Sequence, residues 1–339
     1  MSKLALAIGT FDGVHLGHQE VIAAARSAVG NSGQVTAVTF WPHPMTVFDP
    51  AGAPPLLQNL ESREDALLDA GADEILLLHF TTQMAAMSPA EFVNRIIAPL
   101  QPAAVAVGPN FTFGARGSGT PAALRQLAAG RFDLLIAPAV ESGGYTVSST
   151  MIRAAVLAGD VSSAGRLMGR DFSVRGPVVR GDRRGHQIGF PTANLTPDPA
   201  VACPADGVYA GWLRLLDQSA DPSSCAAPGP STRGTSGPSS RGTSDTSSCA
   251  KSQDLQNSQD LPDGALLAAV SVGDNPTFGS SRRVEAHVLD QDFDIYGVPV
   301  EIGFTKYLRG MVTFAGVDEL VAQLRLDVQA TRDLGGTGS

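Results

Sequence analysis

Cysteine is scarce in this chain. Only Cys203, Cys225 and Cys249 occur among 339 residues, an odd number without metal-ligand spacing, which argues against a disulfide framework and against a zinc site. Positive charge is in deficit as well, with 24 Lys and Arg against 33 Asp and Glu and a net charge of −9. That balance argues against a nucleic-acid partner. It leaves room for small anionic substrates, because Arg153, Arg180, Arg183 and Arg184 can make a local field of the opposite sign. Long apolar runs are missing, so no membrane partner is expected, and the N-terminus lacks the charged-then-apolar pattern of a signal peptide. A cytoplasmic protein is the expectation. What the chain does have is length and a hydrophobic fraction of 43%, enough for two ordinary domains.

The first of these is expected to be α/β. Leu4–Ile8, 34–40, 74–78, 103–107 and 133–137 read as short apolar strands, separated by helical patterns near 62–70, 88–97 and 121–129. Such alternation implies a parallel sheet with helices on both faces and ligands outside the carboxyl ends of the strands. The chemistry-bearing stretches fall at those ends. Gly9-Thr10-Phe11-Asp12-Gly13-Val14-His15-Leu16-Gly17-His18 leaves the first strand and opens a helix over 17–30. The helix start favours an anion, and His15 and His18 would flank it as hydrogen-bond donors to phosphoryl oxygens. His43 sits between Pro42 and Pro44 after the second strand, either at the site or in a plain chain reversal. Asn110-Phe111 follows the fourth strand, where an amide can hold a ligand or cap its own loop. Ser148-Ser149-Thr150-Met151-Ile152-Arg153 opens another helix, with hydroxyls at its N-cap and an arginine on its first turn.

Beyond Gly169 the period changes. Segments 172–179, 208–215, 266–272, 284–289 and 300–304 read as strands joined by Gly, Pro and Asp turns, as in a small antiparallel barrel, with a terminal helix over 317–332. Domains are therefore expected at 1–169 and 170–335. Between the first two strands lies Gly185-His186-Gln187-Ile188-Gly189-Phe190-Pro191-Thr192-Ala193-Asn194. The Thr192 hydroxyl and Asn194 carbonyl, two residues apart on an extended segment, face the same way and can hold Mg²⁺. In the fourth strand, alternation sends Val284, Ala286 and Val288 inward and Glu285 outward, where pattern alone makes it a solvent-facing carboxylate. Residues 218–264 are rich in Ser, Gly, Pro and Thr and contain tandem repeats, so they are expected to be a disordered insertion between two barrel strands.

His15-Leu16-Gly17-His18 resembles the His-x-Gly-His signature of nucleotidyltransferases. The longer run from Phe11 to His18 resembles the N-terminal module of the bacterial bifunctional riboflavin kinase/FAD synthetase family, and Pro191-Thr192-Ala193-Asn194 resembles the signature of riboflavin kinases. The resemblance implies a Rossmann-like nucleotidyltransferase domain followed by a kinase barrel. Riboflavin, FMN and ATP would be substrates and Mg²⁺ the metal. It implies that His15, His18 and Arg153 act in adenylylation, with Gly9, Phe11, Asp12, Gly13, Gly17, His43, Asn110, Phe111, Ser149 and Thr150 around FMN and ATP. In the barrel it implies Glu285 as general base, Thr192 and Asn194 at the metal, and Gly185, Gly189, Pro191 and Asn275 around the substrates. Asp274 stands where many relatives carry Thr, and His186 is not one of the basic residues common at its place. Two alternatives stay open: a nucleotidyltransferase of this fold acting on another phosphate, and a non-catalytic flavin-binding regulator.

Overall fold

The structure is a computed structural model that describes residues 3–181, 188–216, 261–274, 282–291 and 295–335. Its N-terminal part runs β1 (Leu4–Ile8), α1 (Leu16–Val29), β2 (Gln34–Trp41), α2 (Pro44–Phe48), α3 (Leu60–Asp69), β3 (Glu74–His79), α4 (Thr82–Ala85), α5 (Pro89–Phe92), β4 (Ala104–Val107), α6 (Pro121–Ala128) and β5 (Asp133–Ile136). The strands form one parallel sheet in the order β3-β2-β1-β4-β5. Strand alternation sorts the core into two faces. Ala5, Ala7, Ala104 and Ala106 lie with Val21, Ile22 and Ala25 of α1, small side chains that let the helix sit close. Leu6, Ile8, Val105 and Val107 meet Phe92, Ile97 and Leu124 on the other face. The strand order reverses between β1 and β4, which opens a crevice at their carboxyl ends.

A Gly143-Gly144 turn, with φ of 59° and 81°, joins β6 (Glu141–Ser142) to β7 (Tyr145–Thr146), and two helices follow, α7 (Ser149–Leu157) and α8 (Val161–Met168). The barrel is then built from β8 (Phe172–Val179), β9 (Ala193–Leu195), β10 (Gly207–Leu215), β11 (Ala265–Asp274), β12 (Arg282–Val288) and β13 (Pro299–Arg309). It closes in the order β10-β11-β12-β9-β8-β13 with antiparallel pairing throughout. The last helix, α9 (Val317–Gly335), packs on β10 and β11. One buried cluster joins Ile152, Val156, Val161 and Leu167 of α7 and α8 to Phe172, Tyr209 and Phe304 of the barrel. α7 and α8 thus bury their apolar faces in the barrel's core, which also takes in Leu57 and Val147 from the N-terminal part.

Three local expectations change. The single helix over 88–97 is instead α5, capped by Ser88, running into a π-helical turn over Val93–Ile97 and a 3₁₀ turn over Ala98–Leu100, where Pro99 has no N–H to continue the ladder. His43, extended at φ −57° and ψ 134°, does more than reverse the chain. It caps α2, its Nδ1 accepting from the Met45 N–H at 3.2 Å, with Pro44 in the first helical position. The third is β9, whose three residues are too few to show a period. The insertion over 218–264 falls outside the described residues up to 260, and so do Gly185 and Asn275.

Candidate active sites

A cavity of about 600 Å³ lies at the carboxyl ends of β1, β2 and β4, within the size range of small-molecule sites. Gly9, Phe11, His15, Gly17, His18, His43, Asn110, Phe111, Ser149 and Thr150 all line it. The sheet-end rule and the motifs thus converge on one place. Phe40, Phe48, Phe80, Phe92 and Phe113 add a largely aromatic wall, suited to a flat ring system.

The turn between β1 and α1 is strained. Phe11, Gly13 and Val14 have φ of 49°, 87° and 37°, and a β-branched residue such as Val14 rarely adopts that region. A Cβ on Gly13 would come within 2.7 Å of Leu57 Cδ1, so glycine is required there on two counts. Strain of this kind persists only where the surroundings over-determine it. Asp12, 1% exposed, is the hub. Its Oδ1 accepts the Leu57 N–H at 2.9 Å and lies 3.6 Å from Arg63 Nη2, while its Oδ2 accepts from Arg153 Nη2 at 2.9 Å. The Asp12 carbonyl accepts from Ser149 Oγ at 2.8 Å.

Asp12, Gly13 and Arg153 therefore stand behind the cavity and do not line it. Arg153 also donates from Nε to the Pro55 carbonyl at 2.6 Å. The pairing has a physical reason: a buried carboxylate needs a cation beside it, and Arg153 supplies it.

His15 and His18 stack face to face with ring centroids 3.6 Å apart, and the edge of Phe11 meets His18 at 5.3 Å. Burial first, then the charge of Arg170, lowers the His15 pKa to about 4. Burial, with His15, Arg63 and Arg170 adding to it, holds His18 well below the usual histidine value. Burial likewise lowers His43. These are neutral imidazoles at pH 7, and the Nδ1 atoms of His15 and His18 are buried without a partner. Each ring can present one N–H to a phosphoryl oxygen. The first-turn N–H groups of α1 point to the same place.

The second constellation is on the barrel. Asn194 on β9 pairs directly with Glu285 on β12, so their side chains share a face. The Asn194 amide donates to the Thr192 carbonyl and hydroxyl, both at 3.3 Å, while its Oδ1 is buried and unpartnered. A Cβ on Gly181 would reach 2.5 Å from Asn194 Nδ2, so this face is closed by backbone alone. Glu285 is partly exposed, with Arg283 Nη1 at 3.7 Å from its Oε1. Alternation had placed it outward, and Val284, Ala286 and Val288 are buried as expected. Gly189, with φ of 81°, leads into Pro191. The Pro191 carbonyl can only accept, so the 2.8 Å contact with His287 Nδ1 makes that nitrogen the donor. Among the described residues no group of three His, Cys, Asp or Glu could hold a metal.

Sequence reasoning missed four supporting residues. Arg63 is fully buried and its guanidinium stands 5.4 Å over the Trp41 ring, while Gln19 and Arg170 bind carbonyls of the strained turn. His287 orients the Pro191 segment. All four act across long sequence separations or on neighbours' backbone, which no local pattern reports.

The family model described as FAD synthetase matches residues 1–151, and that described as riboflavin kinase matches 168–334. A Listeria monocytogenes protein named bifunctional riboflavin kinase/FMN adenylyltransferase is 32% identical over 96% of this chain and 91% of its own length. A Bacillus subtilis protein of the same name is 28% identical over 97% and 91%. A crystal structure titled as a macrolide-efflux protein from Streptococcus pneumoniae matches with a TM-score of 0.76 at 30% identity, over 98% of this chain and 94% of that one. No helix among the described residues here is long and apolar enough to cross a membrane. With the two constellations on the two matched parts of the chain in the same order, this protein belongs to the bifunctional riboflavin kinase/FMN adenylyltransferase family.

Proposed function

We propose a division of labour between the two constellations, with an adenylyltransferase unit over 1–169 and a kinase unit over 170–335. The barrel phosphorylates riboflavin to FMN. Glu285 takes the proton of the riboflavin 5′-hydroxyl as its oxygen attacks the γ-phosphorus of ATP, and ADP leaves. Thr192 and Asn194 would hold a magnesium ion, which supplies charge neutralisation to the nucleotide phosphates. Their hard oxygens suit it, and the orphaned Asn194 Oδ1 is a buried acceptor in want of a cation or donor. Pro191 and Gly189 shape this segment, with Gly185 and Asn275 completing the substrate site.

At the N-terminal cavity the FMN phosphate attacks the α-phosphorus of ATP and pyrophosphate leaves. Both reactants are already ionised, so the work is positioning and charge stabilisation. His15 and His18 donate to the transferring phosphoryl group, Ser149 and Thr150 meet the leaving pyrophosphate from the start of α7, and Asn110 with Phe111 lies along the flavin or nucleotide. Arg153 and Asp12 hold this arrangement from behind. The observation that carries the reading is that two stacked, neutral imidazoles, each with a buried Nδ1 lacking a hydrogen-bond partner, and two helix N-termini face one cavity. We place the enzyme in the cytoplasm, with small-molecule partners and no nucleic acid, in keeping with its net charge of −9.

Glu285→Gln tests the assignment with a pair of assays on one variant. The change keeps shape and removes the proton acceptor, so riboflavin phosphorylation should fall about 10²–10⁴-fold, while adenylylation of supplied FMN persists. Kinase activity within about threefold of the parent, on the scale of what a general base contributes, would return Glu285 to the role of an exposed strand carboxylate.

A further inference from the structure

The strained turn ends in two carbonyls, Gly13 O and Val14 O, that α1 does not use. Arg170 takes both. It donates from Nη2 to Gly13 O at 2.7 Å and from Nη1 to Val14 O at 3.0 Å, with a longer contact of 3.4 Å from Nη1 to Met168 O at the end of α8. Gln19 closes the same net, its Nε2 donating to Val14 O at 3.0 Å and to Met168 O at 2.9 Å. The next residue, Asp171, turns the other way and accepts from Trp212 Nε1 and Thr305 Oγ1 on the barrel, at 2.9 and 2.6 Å. Arg170 lies inside the stretch matched by the riboflavin kinase family model, and beyond the residue where the FAD synthetase model ends.

We propose that Arg170 is a positioning residue for FMN adenylylation, supplied to the N-terminal site from the start of the kinase domain. Its planar fork spans two adjacent carbonyls at once, and it fixes the backbone immediately before His15. Phe11, Gly13 and Val14 would otherwise relax from their positive-φ region, and the stacked His15/His18 pair would lose its aim at the cavity. Placement of this sort is worth much in catalysis, since a displacement of about 1 Å can cost about 10²-fold in rate. Burial lowers the Arg170 pKa only to about 10, so the residue stays cationic at neutral pH and also helps to keep His15 and His18 neutral. The inference rests on the turn being the adenylylation site.

The test uses the full chain with Arg170→Ala and Arg170→Lys, and His18→Ala as a control for the site itself. Arg170→Ala should lower kcat for FMN to FAD by about 10²-fold, with KM for FMN and ATP changed far less and riboflavin phosphorylation kept. Arg170→Lys retains the charge but offers a single centre to two carbonyls, and should recover part of the kcat. Parent-like adenylylation in Arg170→Ala, or equal loss of both activities in a folded chain, overturns the proposal. If Arg170→Ala does not fold, Arg170→Lys carries the decision: a reduced kcat with kinase activity intact supports the role, and a parent-like kcat sinks it. Failure of the underlying reading shows separately, as a His18→Ala variant that still makes FAD at the parent rate.

Discussion

At the scale of single residues, His15 is informative because its burial links catalysis to stability. Its folded pKa of about 4 lies below the ordinary 6.5. Between those values the unfolded chain binds a proton that the native one refuses. The stabilisation is therefore fully present above pH 6.5 and is lost as pH falls toward 4. The full shift corresponds to about 3 kcal/mol, and the lowered His18 adds in the same direction. Urea unfolding at several pH values between 7.5 and 4.5 should show stability declining across this window. His15→Asn should flatten that decline; equal slopes in parent and variant would mean that His15 titrates normally.

At the scale of elements, legibility followed length. The strands β1 and β8 could be read to the residue from apolar runs and alternation, and α7 from its serine cap, because each spans enough residues for a period or a cap to register. In β9 there are only three residues, and what fixes it is pairing with β8 and β12 on either side. The Gly9–His18 run announced the cavity, yet its sequence could not say that Asp12 and Arg153 would pair beneath it, since the hydrogen-bond partners come from Leu57 and Pro55 far along the chain. His287 belongs here too, as the residue that ties β12 to the Pro191 segment and so to Thr192 and Asn194. His287→Ala should raise the KM for MgATP in riboflavin phosphorylation more than it lowers kcat, with FMN adenylylation unchanged. His287→Asn, which can still offer an N–H to the Pro191 carbonyl, should regain part of that loss. Magnesium titrations of the two variants and the parent would separate this from a general loss of packing, which would move both activities.

For the whole molecule the question is what the segment absent from both repeating patterns, about 218–264, contributes. It joins β10 to β11, which pair antiparallel from Gly207 with Val272 to Arg214 with Ala265. The chain thus leaves one strand beside the point where it enters the next, after Leu216 and before the turn that closes with Ala265 N–H on Pro262 O at 2.9 Å. A hairpin of this kind can be closed by a handful of residues. The kinase constellation lies elsewhere along the same strands: Glu285 is opposite Ser271, and Ser271 is roughly 20 Å from Ala265 at the strand rise per residue. Loop length changes closure cost by only about 0.6 kcal/mol per doubling, so shortening the connection should be neutral or slightly stabilising. Replacing residues 219–260 with a short Gly/Ser linker should therefore leave the Tm the same or modestly higher and keep both riboflavin phosphorylation and FMN adenylylation near parent rates. A Tm lowered by many degrees, or loss of FMN production in the shortened chain, would show that the insertion takes part in the barrel or its site.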